Sequence, residues 1–239
     1  MSKKLIDLSS FILALCIALT SAANAADPNL VGWWRFDGDA LDTSGNERHG
    51  TLHGSPQFGP GVFGQALEFQ DNPDYVTIDG YKGVLGTHAF SITAWIKTAN
   101  PANIEQIVHW GAHVGGQRVE FRINSTRLRI SHGNGNVQGN TDLIDDEWHH
   151  VAVTVSQGAT ISYPEVQLWL DGMDNTRDTT TPQAFTIEAD VDMAIGYRAT
   201  AAARYFFGAI DEVRLYDRVL SPGEIAWLGG RTEPFDKPF

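Results

Sequence analysis

From residue 30 to residue 216 the chain is a succession of short runs in which Val, Ile, Leu, Phe and Trp alternate with polar residues. The runs include "LVGWWRF" (30–36), "ALEFQ" (66–70), "DYVTI" (74–78), "FSITAWIK" (90–97), "QIVHW" (106–110), "RVEFRI" (118–123) and "RLRIS" (127–131). They continue with "WHHVAVTV" (148–155), "EVQLWLDG" (165–172), "DMAIGY" (192–197) and "YFFGAIDEVRLY" (205–216). A period of two puts every second side chain on one face of a strand, and the Gly, Asn, Asp and Pro clusters between runs are turn-forming mixtures. Around a dozen strands with no helical pattern between them predict an all-β antiparallel sandwich or barrel. One helix is predicted, over "SPGEIAWLGG" (221–230): Ser221 is the N-cap, Pro222 the first helical residue, Glu224 closes a capping box, and Gly229 or Gly230 ends it. Its Ile225 and Leu228 are expected to face the sandwich. With no internal repeat and no long linker, residues 26–239 read as one domain, ending in an extended tail, "RTEPFDKPF".

The first residues have a different character. Lys3 and Lys4 precede an apolar stretch, Phe11 to Leu19, and then "ANA" at 23–25, the pattern of a secretory signal peptide over residues 1–25. That stretch is shorter than the roughly 20 residues a membrane-spanning helix needs, and no later segment comes closer, so no membrane span is expected. Export to the periplasm or the exterior follows as an expectation. Cys16, the one cysteine, lies inside this segment behind Leu15, which speaks against lipidation and leaves residues 26–239 without a disulfide. Stability must therefore come from an ordinary core, and a monomer is expected. Removing residues 1–25 takes away Lys3, Lys4 and Asp7, so the formal charge of −12 becomes −13. Such a surface repels phosphate backbones and anionic lipid, which makes nucleic acid a poor partner and divalent cations better ones.

Several catalytic patterns are missing. There is no G-x-S-x-G, no phosphate-binding G-x-x-x-x-G-K-[ST], and no H-E-x-x-H. "GNGNVQG" is glycine-rich but reads as a hairpin loop. The adjacent His149 and His150, set behind Asp145, Asp146 and Glu147, look at first like a metal site. On a strand they point to opposite faces, His149 with Val151 and Val153, His150 with Trp148 and Ala152. They are read as strand residues, one hydrogen-bonded in the core and the other capping a sheet surface.

"GWWRFDGDALDTSGNERHGTLHG", "GVFGQALEFQDNPDYVTI", "FSITAWIK", "DDEWHHVAVTV", "LWLDG" and "GAIDEVRLYDRVLSPGEI", in this order, resemble a laminin-G-like (LamG-like) domain of the concanavalin A-like lectin/glucanase superfamily. The resemblance spans roughly residues 30–228. It implies a jelly-roll β-sandwich of two stacked antiparallel sheets, often with a calcium ion at the rim and often with a glycan or protein ligand. Fold alone does not decide function.

Three constellations carry functional expectations. In "DTSGNERHG" (42–50), Asp42, Ser44 and Asn46 offer hard oxygen ligands of the kind Ca2+ takes, and Asp37 is near in sequence; the same residues equally satisfy an Asx-type turn. The resemblance adds Asp211 as a ligand, giving Asp37, Asp42, Asn46 and Asp211 as the expected calcium site. In "IEADVDMAIG" (187–196), Glu188, Asp190 and Asp192 at alternate positions are similar to the carboxylate arrangement of the glucanase branch, with the shorter Asp192 in the last place. The laminin-G-like register puts them in a loop instead. "HWGAHVGGQRVEFRIN" and "SHGNGN" gather Trp110, His113, Arg122, Asn124, His132 and Asn134, the aromatic, amide and cationic groups that contact sugars. The expected protein is therefore secreted and non-catalytic, binding carbohydrate or an extracellular protein. The alternatives are a glycoside hydrolase using the 188–192 carboxylates and an adhesion protein without a small ligand.

Overall fold

A computed structural model describes residues 27–70, 73–100, 104–179, 184–198 and 204–231. The expected signal segment and cleavage site, and all of the expected tail beyond residue 231, lie outside the described residues. The strands in chain order are β1 (Leu30–Trp34), β2 (Thr51–His53), β3 (Gln57–Pro60), β4 (Gln65–Phe69), β5 (Tyr75–Ile78), β6 (Phe90–Lys97), β7 (Ile104–Gly111), β8 (Arg118–Asn124) and β9 (Arg127–Ser131). They continue as β10 (Asn136–Asp142), β11 (His149–Val155), β12 (Val166–Leu170), β13 (Met173–Asp174), β14 (Thr176–Thr179), β15 (Val191–Ile195), β16 (Tyr197–Arg198), β17 (Arg204–Tyr205) and β18 (Gly208–Tyr216), before helix α1 (Pro222–Leu228).

Two large antiparallel sheets make the predicted sandwich. The first runs β13-β12-β11-β6-β18-β4-β3, with β1 also paired to β18; the second runs β14-β10-β9-β8-β7-β15-β5-β2. Alternate residues of both close one core: Ile92, Ala94 and Ile96 of β6 and Val151, Val153 and Val155 of β11 belong to the same buried cluster as Phe121, Ile123 and Ile130 of the second sheet. Burial of side chains this size stabilises by roughly 1.5–3 kcal/mol each, the term that takes the place of disulfides here. A small hairpin of β16 and β17 packs over β7, on the second sheet.

Helix α1 forms as its cap chemistry requires. Ser221 Oγ accepts from the Glu224 backbone N–H, and the Glu224 carboxylate accepts from the Ser221 N–H in return. Ile225 and Leu228 are buried with Ala152, Trp169, Tyr216 and Leu220 in a second cluster, which covers the outer side of the first sheet. One expected loop is partly a strand: β10 takes up Asn136 onward from "GNGNVQG". Its single apolar inward residue, Val137, pairs with Ile130 and is fully buried, while Gly139 leaves room for the Asn175 side chain, so the strand shows little alternation to read.

Candidate functional site

The loop at 42–50 folds as an Asx-type turn. Asp42 Oδ1 accepts from the Trp33 and Ser44 backbone N–H groups, both at 2.9 Å, and Oδ2 from that of Arg48 at 3.0 Å. Burial alone would raise its pKa, but these N–H groups override it and hold the carboxyl below its usual range. Asn46 donates its amide to the Leu30 carbonyl. Asp37 accepts from Gln65 N–H and pairs with Arg35. Asp211, fully buried, accepts from Val62 and Phe63 N–H through Oδ2, and its Oδ1 has no partner. Burial pushes this carboxyl up to about 6 against those two N–H groups. The expected ligands thus divide between two loops, and among the described residues no three carboxylate, histidine or cysteine side chains cluster around a metal position.

The expected ligand face also divides. Trp110 lies wholly inside the sandwich, donating Nε1–H to the Val84 carbonyl and packing edge-on against Phe90, so it offers no surface to a ligand. A Cβ on Gly83 would stand 2.4 Å from its ring. His132 is equally buried, edge-on to Phe185. His113 and Asn134 are exposed in the connections flanking β8 and β9, while Arg122 and Asn124 stand on β8 itself, on the face turned from the core. These four are thereby separated into a rim pair and a sheet pair.

What the second sheet builds on that outer face is richer than the expected set. In β8 the core takes Val119, Phe121 and Ile123, which leaves Arg118, Glu120, Arg122 and Asn124 pointing outward. Cross-strand pairing puts Arg129 beside Arg122, Gln138 beside Arg129, and His109 beside Glu120. Arg198 and Arg204 arrive from the β16–β17 hairpin. Glu120, 1% exposed, binds Arg118 at 2.7 Å and Arg198 at 2.9 Å through Oε1, Arg122 through Oε2, and faces Arg204 at 3.9 Å. Burial would push Glu120 up, yet the guanidinium groups of Arg122, Arg198 and Arg118 hold it below the usual carboxylate range. Burial lowers Arg122 to about 10, with Glu120 opposing. His109 is buried and neutral, pushed down to about 4 by desolvation, with Nδ1–H donated to the Val119 carbonyl. Next to this cluster four half-buried rings stack in series: His53 on Tyr75 at 4.3 Å, Tyr75 on Tyr197 at 4.3 Å, and Tyr197 on Tyr205 at 5.0 Å. Arg118, Glu120 and Arg122 are legible in "RVEFR" as a charged period-two face; Arg198, Arg204 and the rings belong to the face only through the folding of the hairpin.

Two of the three glucanase-like carboxylates sit in a loop as the laminin-G-like register implied, and Asp192 is instead part of a strand. Glu188 and Asp190 are exposed in the loop before β15, and Asp192 is its second residue. Asp192 pairs with Lys82 at 2.7 Å, and Asp190 accepts the His113 N–H. The two histidines diverge as expected, with one correction: the hydrogen-bonded one is the half-buried His149, which reaches Asp171 at 2.9 Å and Asp145 at 3.2 Å, while His150, beneath helix α1, is fully buried with neither ring nitrogen bonded and lies edge-on to Trp95.

Comparison with solved structures supports the fold. Domain 4 of AbnA, a GH43 extracellular arabinanase from Geobacillus stearothermophilus solved in complex with arabinotriose, superposes with a TM-score of 0.67 at 20% identity, over 84% of this chain and 98% of that domain. The binding domain of Paraclostridial Mosquitocidal Protein 1 gives 0.60 at 14% identity, over 84% of this chain and 52% of the other. A structure of botulinum neurotoxin type C, whose cell entry is dependent upon interaction with two ganglioside molecules, gives 0.61 at 16% identity, over 90% of this chain and 54% of the other. The chain thus spans about half of each toxin structure. No curated protein matches. The Laminin_G_3 family model matches residues 70–226, which include the outward face of β8 and β9 and the β16–β17 hairpin, and the chain belongs to this family of the concanavalin A-like lectin/glucanases superfamily.

Proposed function

We propose that this is an exported, non-catalytic carbohydrate-binding domain whose ligand lies on the outer face of the second sheet. The observation that carries the reading is the ring series of Tyr75, Tyr197 and Tyr205 beside a dense set of hydrogen-bond donors. Sugar rings stack on aromatic surface while guanidinium and amide groups read hydroxyls, and a rigid sheet holds both in place. The arabinotriose complex of the similar arabinanase domain supports this for the fold. The reading also uses Arg122 and Asn124 from the expected ligand set and leaves Trp110 and His132 to the core.

A glycan array probed with the purified chain tests it, and retention of no glycan would sink it. Tyr205→Ala should weaken binding of a retained oligosaccharide by up to about tenfold, since an aromatic contact contributes about 0.5–1.5 kcal/mol. Release of reducing sugar from a polysaccharide panel, lost in Glu188→Gln, would replace this reading with the hydrolase.

Calcium enters the proposal at Asp211, whose buried Oδ1 lacks a partner that a cation would supply, with Asp37 on the same 62–65 turn as a second oxygen donor. Thermal melting with calcium and with chelator tests this. Ion binding to the folded state should raise the midpoint by several degrees, on the order of 2–3 kcal/mol at a hundredfold excess over Kd. An unchanged midpoint removes the ion.

A further inference from the structure

On the outer face of the second sheet four guanidinium groups meet one carboxylate and a fifth stands beside them. Arg118, Arg122, Arg198 and Arg204 all turn to Glu120, and Arg129 stands across from Arg122 with its Nη2 on Gln138 at 3.1 Å. The arrangement runs against the chain as a whole, whose formal charge is −12. Like charges packed this closely repel, and more strongly as water is excluded.

Two further observations point outward to a ligand. The Nε–H groups of Arg122, 7% exposed, and of Arg129 are buried without an acceptor. A buried donor left unmade costs about 1–3 kcal/mol, so an incoming group rich in acceptor oxygens gains what the protein leaves unsatisfied. Arg204 is the most open of the four arginines around Glu120, with 25% of its side chain exposed and its nearest Glu120 oxygen at 3.9 Å. Within the same hairpin Arg198 pairs across from Arg204 and Tyr197 across from Tyr205, so a cation pair and a ring pair occupy successive positions.

We propose that this face binds an acidic glycan, a sugar chain carrying carboxylate or sulfate groups, with Arg122, Arg129 and Arg204 taking the anion and the Tyr197–Tyr205 pair the adjoining ring. The proposal rests on the glycan-binding reading above and names its ligand class. Guanidinium forks match planar carboxylates and sulfates with paired hydrogen bonds, which lysines do not supply. The rings beside them favour a sugar chain over a peptide of equal charge.

Calorimetric titration of the full chain at about 0.1 M salt tests it, with four probes of matched length: oligogalacturonate, a sulfated dextran oligosaccharide, a neutral arabinan oligosaccharide and polyglutamate. At least one acidic glycan should bind about tenfold or more tighter than the neutral one, the uronate and sulfate arms telling which anion is read. That preference should weaken as salt rises. Arg204→Gln and Arg129→Gln, checked by melting, should each lose about tenfold for the acidic glycan and little for the neutral one, and Arg204→Lys should recover only part of the loss. Equal affinity for acidic and neutral glycans, unchanged binding in both Gln variants, or polyglutamate binding as tightly as the acidic glycan would overturn the acidic assignment while the glycan-binding reading stands. Failure of every glycan to bind would overturn both. The comparison of probes on the unaltered chain decides the matter even if a variant misfolds.

Discussion

His149 and His150 are neighbours in sequence and titrate in opposite directions. Hydrogen bonding to Asp171, with Asp145 also contributing, pushes His149 up to about 9 despite partial burial, whereas burial and then the charge of Arg214 push His150 down to about 3. An unfolded histidine titrates near 6.5. The contribution of His149 is therefore fully present below about pH 6.5 and is lost as pH rises through 9, because only the folded state still holds the proton in that window. For His150 the unfolded state binds the extra proton, so stability falls as pH drops from about 6.5 toward 3. Urea unfolding across pH should show His149→Gln flattening the alkaline loss and His150→Phe, which keeps the edge-on contact with Trp95, flattening the acid loss. The opposite pointing of the two side chains was legible from strand alternation. Which of them finds carboxylates was not, since Asp171 follows β12 and meets His149 only through the pairing of β12 with β11.

At the scale of elements, period-two patterns delivered β6, β8, β9 and β11 almost residue for residue, because each has one apolar and one polar or packed face. The short strands β2, β13, β16 and β17 have too few residues for a pattern and exist through pairing. Trp110 illustrates the same limit for function. Its strand was legible, but the bulge in β7 between Gln106 and Val108 resets which residues face inward, and Trp110 goes to the core. Trp110→Ala should cost about 3–5 kcal/mol in chemical denaturation and leave specificity for any glycan unchanged in the fraction that folds. Helix α1 was legible in full from its capping box, and Ser221→Ala should cost about 1 kcal/mol by the same measurement.

Across the whole molecule, the two ends of the described chain are tied by one guanidinium. Arg218 binds Asp27 and, at 2.8 and 3.0 Å, both oxygens of Glu224, while Asn29 donates to Asp217 at 2.9 Å. Because these groups form a network rather than an isolated surface pair, Arg218→Ala should cost about 1–3 kcal/mol, with hydrogen exchange speeding first in β1 and helix α1. Sequence by itself determined the all-β class, the bounds of β8 and β9, the capped helix and the alternation that turns Arg118, Glu120 and Arg122 outward, since these follow from local periodicity and cap chemistry, while the choice of sandwich over barrel came from the family resemblance. Tertiary structure alone decided that Asp42 also accepts from the Trp33 N–H, that Asp37 and Asp211 share the 62–65 turn while Asp42 holds its own loop, and that Arg198, Arg204 and three tyrosines join the outer face of the second sheet. Those outcomes depend on which distant segments a strand pairs with and which hairpin folds over it, and such long-range closure leaves no periodic trace in the chain.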